Sequence, residues 1–203
     1  MEVVCLDLEG VLVPEIWIEF AQVTGIDALR KTTRDVADYD QLMRFRLDQL
    51  RQHKLGLPEI ESVIQTMAPL DGAADFLTAL RERYQVVILS DTFYEFSRPL
   101  MAQLNWPTLF CHRLVVEPNG DVSGFRIRQS EPKKSAVAAL QSLNFRVIAA
   151  GDSYNDTAML AQADHGFLFR SPANVIAEFP QYRHTREYDD LRRLIDGASG
   201  RTA

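Results

Sequence analysis

Residues 1–15 read MEVVCLDLEGVLVPE. The run after Glu2 is apolar and β-branched, which predicts a strand, yet Asp7 and Glu9 interrupt it. The i, i+2 spacing of the two acids puts both on one face of an extended chain. The sequence stays apolar past them, through Leu8, Val11, Leu12 and Val13, so a strand end meeting solvent explains them poorly. Two carboxylates facing one way at the end of a buried strand point to a site of chemistry.

Working outward, further strands are predicted at QVVILSD (85–91), RVIAAGD (146–152) and GFLF (166–169), with a hairpin around PNGD (118–121) marked by Asn119-Gly120. VVIL and RVIAA are apolar on both faces, as a sheet covered on both sides requires. Helical patterns alternate with the strands. DGAADFLTALRERY (71–84) aligns Phe76, Leu77 and Leu80, and PKKSAVAALQSL (132–143) aligns Val137 and Leu140. Such alternation implies right-handed βαβ units and a mostly parallel sheet. Residues 14–68 break the rhythm with three helices: PEIWIEFAQVTG, YDQLMRFRLDQLRQH with Met43, Leu47 and Leu50 in line, and LPEIESVIQTMAP. The expected organisation is therefore a core of residues 1–13 and 69–203 with a helical insertion, 14–68, placed to cover the carboxyl edge of the sheet. The tail after Gly197 is expected to fray.

The 203-residue length suits one core with an inserted unit, and 46% hydrophobic with 25% charged residues suits a globular chain. The net charge of -6 argues against nucleic-acid and anionic-membrane partners. The two cysteines, Cys5 and Cys111, sit in apolar runs and read as buried thiols. With no apolar run of membrane-spanning length and no signal-peptide pattern before the first strand, a cytoplasmic protein is expected.

Four predicted strand or loop ends carry polar residues: LDLEG (Asp7, Glu9), ILSDT (Ser90, Asp91), EPKKS (Lys133 or Lys134) and AGDSYND (Asp152, Asn155, Asp156). In a parallel sheet the strand C-termini share one edge, so these groups converge. The set fits phosphoryl transfer. One carboxylate attacks phosphorus, a second carboxyl group protonates the leaving oxygen, carboxylates hold Mg2+, and a lysine with a hydroxyl cradles the phosphate.

In their order along the chain, DLEGV, ILS, Lys133 and GDSYND resemble the four motifs of the haloacid-dehalogenase-like phosphatases. The helical insertion resembles that family's cap in its first (C1-type) insertion position. The resemblance implies a Rossmann-like three-layer α/β/α core. It also implies Asp7 as nucleophile and Mg2+ ligand, and Glu9 as general acid/base whose backbone carbonyl binds the metal. Ser90, Asp91 and Lys133 then lie at the phosphate, Asp152 completes the metal site, and Asp156 supports it. Lys133 is preferred to Lys134 because Ala136, Val137 and Leu140 follow it at the family's spacing. Glu9, where most members carry aspartate, together with LSDTFYEFS, VIAAGDSYNDTAML and VPEIWIEFA, is similar to the bifunctional phosphoserine phosphatase/homoserine phosphotransferase branch. That likeness implies phosphoserine as substrate, homoserine as a second acceptor, a place in serine and threonine biosynthesis, and a homodimer. It implies too that Glu15 receives the substrate ammonium, that Arg46 pairs with its carboxylate, and that Asn155 contacts substrate.

Plainer readings stand beside these. Ser90 or Asp91 would serve as a helix cap, as would Asp152 or Asp156. Arg46 lies in an arginine-rich helix with Arg44 and Arg51, where surface salt bridges are common. Trp17 and Phe20 read as packing within the insertion. The histidines at 53, 112, 165 and 184 have no ligand spacing and read as structural or surface residues. In function, a phosphatase for a sugar phosphate or another small metabolite is the runner-up. A receiver domain phosphorylated on aspartate is disfavoured by the insertion and by an acceptor on the first strand.

Overall fold

The computed structural model describes residues 1–32, 35–36 and 38–200. Among them, seven strands form one sheet in the order β4-β3-β2-β1-β5-β6-β7. These are β1 Glu2–Leu6, β2 Gln85–Phe93, β3 Thr108–Val116, β4 Val122–Arg126, β5 Arg146–Gly151, β6 His165–Phe169 and β7 Arg183–Thr185. Every pairing is parallel except the β3–β4 hairpin. The α/β expectation therefore holds, with β7 as a short strand that the sequence pattern did not reveal.

Strand alternation sorts the interior into two layers. Val4, Leu6, Ile88, Ile148 and Ala150 face α4 (Ala73–Arg81), α5 (Tyr94–Gln103) and α9 (Tyr188–Ser199). Val3, Cys5, Val87, Leu89, Val147 and Ala149 face the other way, against α6 (Pro132–Ser142), α7 (Thr157–Gln162) and α8 (Ala173–Glu178). Both cysteines are buried thiols, as expected. α9 runs to Ser199 and closes on Gly200 at φ 75°, so it extends past the point where the tail was expected to fray; residues 201–203 lie outside the described residues.

Between β1 and α4 the chain forms α1 (Ile16–Thr24), α2 (Tyr39–Gln52) and α3 (Leu57–Ile64). No strand occurs there among the described residues. α1 starts after Glu15 rather than at Pro14 and ends on Gly25, whose φ of 70° is the left-handed conformation that glycine adopts cheaply. α2 starts on Asp38, whose side chain accepts from the Gln41 N–H at 2.9 Å. The apolar faces of these helices, including Phe20, Met43, Leu50 and Ile64, join the same cluster as Phe93, Phe96 and Leu100 of the β2–α5 unit. The Asn119-Gly120 hairpin turn meets α3 directly, where the Leu57 N–H donates to the Gly120 carbonyl at 2.9 Å. No helix among the described residues is long and apolar enough to cross a membrane.

Candidate active site

β1 ends at Leu6, so Asp7 and Glu9 are not two residues of one strand face as expected. The chain turns tightly after Asp7: Gly10 N–H donates to Val13 O at 2.8 Å and Leu12 N–H to Leu8 O at 2.8 Å. The turn, not the strand pleat, brings the Glu9 carboxyl back over the sheet edge. Gly10 makes this possible. Its φ is +77°, and a Cβ there would lie 2.5 Å from an oxygen of Asp152. The Tyr188 hydroxyl of α9 fastens the same turn by donating to Val11 O at 2.6 Å.

Asp7, Glu9, Ser90, Asp91, Lys133, Asp152 and Asn155 line one cavity of about 940 Å³, together with Glu15 and Arg46 from the insertion. Lys133, near the start of α6, is buried, and its Nζ lies 2.9 Å from Asp7 and 2.7 Å from Asp156. Lys134 reaches Glu131 instead, at 3.1 Å and partly in solvent. Of the two lysines, the fold brings Lys133 to Asp7.

Asp156 is fully buried and uses both oxygens: Oδ1 accepts from Lys133, and Oδ2 accepts from the Asp152 and Ser153 N–H groups at 2.9 and 3.2 Å. It therefore closes the short turn that begins at Ser153, while Asp152 makes no helix cap. Gly151 is needed here too, because a Cβ would sit 2.3 Å from the Asp156 carboxyl carbon. Ser90 is buried and its hydroxyl accepts from the Thr92 N–H at 3.2 Å. Neither Ser90 nor Asp91 caps α5, which starts after Phe93 without a side-chain cap.

One lysine among several carboxylates leaves the site strongly anionic. Burial and the neighbouring Asp156 push the Asp7 carboxyl well above its ordinary range, outweighing Lys133. Burial, Asp156 and Glu15 push Asp152 to about 7. The Lys133 ammonium is held well above its ordinary value because Asp156, Asp7 and Asp91 outweigh its burial. One oxygen from each of Asp7, Asp152 and Asp156 lies within 4.8 Å of the others. Hard anionic oxygens that repel one another at this spacing are a donor set suited to a divalent cation such as Mg2+.

Glu9 has a different environment. Its Oε2 accepts from the Ile16 N–H, the first of α1, at 2.9 Å, and the Thr92 hydroxyl also bonds it. Burial and the nearby Glu15 outweigh these contacts and carry its carboxyl to about 7. Near neutrality such a group gives and takes a proton with equal ease.

At the far end, Arg46 is buried, so the surface-salt-bridge reading applies to its neighbours Arg44 and Arg51, which pair with Asp40 and Asp48. Arg46 donates to the Lys31 carbonyl at 2.8 Å, and its Nε has no hydrogen-bond partner among the described residues. Among those residues no carboxylate lies within ion-pair distance of Arg46, nor a cation within that distance of Glu15.

Among the lining residues that the sequence reading did not assign to the site, Tyr39, Thr92 and His112 touch the groups already named. Tyr39 donates its hydroxyl to the Asp91 backbone carbonyl at 2.6 Å. Thr92 meets Glu9. His112, read as structural or surface, is buried in β3 and lines the cavity, with Nε2 3.5 Å from Asp91. Its Nδ1 accepts from the Arg128 N–H at 3.2 Å, which leaves the proton on Nε2, facing Asp91. Asp91 also accepts from Asn155 at 2.9 Å. Lys133, His112 and Asn155 together hold its carboxyl below the usual range against the pull of burial. A histidine inside the apolar run TLFCHRL was the one signal available for this contact.

Comparison with known proteins agrees with this geometry. Residues 1–164 match the family model described as haloacid dehalogenase-like hydrolase. The chain is 59% identical over 202 residues to a protein named phosphoserine phosphatase ThrH from Pseudomonas aeruginosa, covering 100% of this chain and 98% of that one. It is 57% identical over 201 residues to a phosphoserine phosphatase of Pseudomonas syringae pv. tomato, covering 99% and 85%. Among solved structures, a phosphoserine phosphatase in apo form superposes with a TM-score of 0.77 at 21% identity, over 96% of this chain and 98% of that one. The chain belongs to the haloacid dehalogenase-like hydrolase family.

Proposed function

We propose that the protein is a Mg2+-dependent phosphoserine phosphatase that works through an aspartyl-phosphate. The observation that carries the substrate is the pair of unmatched charges in one cavity. Arg46 and Glu15 line it together, and neither has an ion-pair partner among the described residues. A buried charge without a partner is costly. Arg46 is buried and Glu15 half-buried, so a ligand carboxylate offsets the larger cost at Arg46 while its ammonium matches Glu15, and a sugar phosphate offers neither group. The names of the two Pseudomonas relatives support the same reading.

In this reading Asp7 attacks phosphorus while Lys133 and Ser90 hold the phosphate oxygens. Glu9, with its carboxyl near 7, protonates the departing serine oxygen and then takes a proton from the attacking water. Asp7, Asp152 and the Glu9 carbonyl would hold the metal, whose charge would offset that of phosphate and carboxylates. Asp156 fixes Asp152 and Lys133. Asn155 and Asp91 line the substrate's path, and residues 14–68 act as a cap that limits water. Homoserine is a second acceptor. A receptor that grips the amino-acid ends rejects one extra methylene only about 10–200-fold.

The test is phosphate release with Mg2+ from phosphoserine against a set of sugar phosphates, in the wild type and in Arg46→Ala. Phosphoserine should lead the set and lose its lead in the variant. A sugar phosphate turned over best by both proteins would overturn the assignment, and phosphohomoserine formed on adding homoserine would establish transfer.

A further inference from the structure

Arg46 is held without giving its donors to another charged side chain. Its guanidinium carbon lies 4.7 Å from the centre of the Trp17 ring. One terminal nitrogen donates to the Lys31 carbonyl at 2.8 Å, and the other approaches the Met43 sulfur at 3.8 Å. Trp17 is fixed in turn. Its ring meets Phe20 of α1 edge-on, at 6.1 Å and 87°, and Phe96 of α5, at 5.4 Å and 69°. A carboxylate partner would also hold the arginine, but it would occupy the in-plane N–H groups that a ligand carboxylate needs. An aromatic face attracts the flat side of a guanidinium and leaves its edge available.

We propose that Trp17 is a positioning residue for substrate selection: its ring holds the plane of Arg46 so that the unpartnered edge receives the carboxylate of a phosphorylated amino acid. This rests on the substrate reading above and deepens it. The packing that Trp17 supplies to the interior is real, since the ring is almost wholly buried. The proposal says that its face has a second role. Phe96 adds a connection. It stands on the helix directly after β2, which carries Ser90, so the stack ties the carboxylate receiver to the phosphate end.

The experiment compares phosphoserine with phosphoethanolamine, which keeps the phosphate and the ammonium and lacks the carboxylate. KM and kcat, or Ki for the poorer ligand, are measured with Mg2+ on the wild type, Arg46→Ala, Trp17→Leu, Trp17→Phe and the Trp17→Leu/Arg46→Ala double variant. Trp17→Leu should lower the preference for phosphoserine about tenfold through KM, with Trp17→Phe recovering part of it, because a smaller aromatic keeps a weaker face. In the Arg46→Ala background Trp17→Leu should change the preference no further.

An equal loss on both compounds, or a loss of preference that adds to that of Arg46→Ala, would mean that Trp17 only packs, and would overturn the proposal. If Trp17→Leu does not fold, Trp17→Phe carries the same comparison, and an unchanged preference in it counts against the proposal. If Arg46→Ala alone leaves the preference intact, the amino-acid reading itself fails, and that outcome is distinct from a failure confined to Trp17.

Discussion

At the phosphate end of the cavity, Lys133 makes contacts of 2.7 and 2.9 Å with two buried carboxylates, and Asp156 has a partner for each oxygen. At the other end, Arg46 has an Nε with no partner among the described residues and lies on an aromatic face. The first end is closed internally along one edge of the sheet, from Asp7 after β1, Asp156 in the turn after β5 and Lys133 at the start of α6. The second stands on helices of the insertion and, in the proposed reading, is completed by a ligand. Chemistry needs groups that are already in place when the substrate arrives, whereas selection needs groups whose partners are absent until the right substrate comes. Glu9 joins the two ends, since its carboxyl accepts the first N–H of α1 while its turn follows β1.

The largest effect is expected at that junction. Glu9→Gln should lower phosphoserine turnover by about 10²–10⁴-fold, the usual contribution of a general acid. The loss should be smaller with p-nitrophenyl phosphate, whose leaving group needs no proton. In the wild type, phosphoenzyme formation should fall as pH rises through about 7, where Glu9 loses its proton. Stability should move the opposite way on mutation. The folded metal-free protein binds this proton more tightly than the unfolded chain does. Stability is therefore lost as pH rises from the ordinary 4.5 to about 7. Glu9→Gln should melt higher than the wild type at pH 8, by about 3 kcal/mol, and match it near pH 4. Equal melting at pH 8 would mean that the carboxyl is not held out of its ordinary range.

A smaller effect tests how closed the phosphate end is. Asp156 holds Asp152 through the backbone and Lys133 through its ammonium. Asp156→Asn keeps the shape but weakens both contacts, so Mg2+ affinity should fall about 10–100-fold, the usual cost of losing a group that orients a metal ligand. Activity restored by high Mg2+ is the expected result. Activity that stays low at saturating Mg2+ would show that Lys133, rather than the metal site, depends on Asp156.

The same contrast explains what could be read from sequence. Asp7 and Asp152 follow apolar strands and Ser90 follows the apolar run of β2, and parallel pairing alone brings such positions to one edge. The three helices of the insertion were legible from sequence pattern, as for Met43, Leu47 and Leu50 in α2. What spacing could not convey was contact between distant segments. Tyr188 meets Val11 across 177 positions, and Tyr39 meets Asp91 across 52. His112 shows the same limit: that it is buried, and that it faces Asp91 on the neighbouring strand β2, is set by strand pairing and not by its own spacing. The i, i+2 argument gave the wrong cause for the meeting of Asp7 and Glu9, because a glycine turn rather than a strand face brings both to one cavity.

The smallest effect concerns a direct hydrogen bond from α2 to the phosphate end. Tyr39 and Arg46 are seven residues apart on α2, about two turns, so they share a face of the helix. The Tyr39 hydroxyl donates to the Asp91 carbonyl at 2.6 Å, and its ring stands edge-on to His112 at 6.0 Å. Burial and Asp91 hold the phenol far above its ordinary pKa, so it remains a donor throughout the working pH range. Tyr39→Phe removes about 0.5–1.5 kcal/mol of hydrogen bonding and leaves the ring packing in place. If this contact seats α2 over the phosphate end, KM for phosphoserine should rise by about two- to tenfold with kcat nearly unchanged. A fall in kcat at constant KM would instead place the loss in the reacting groups. It would mean that the Asp91 segment of β2, and not the seating of α2, depends on Tyr39.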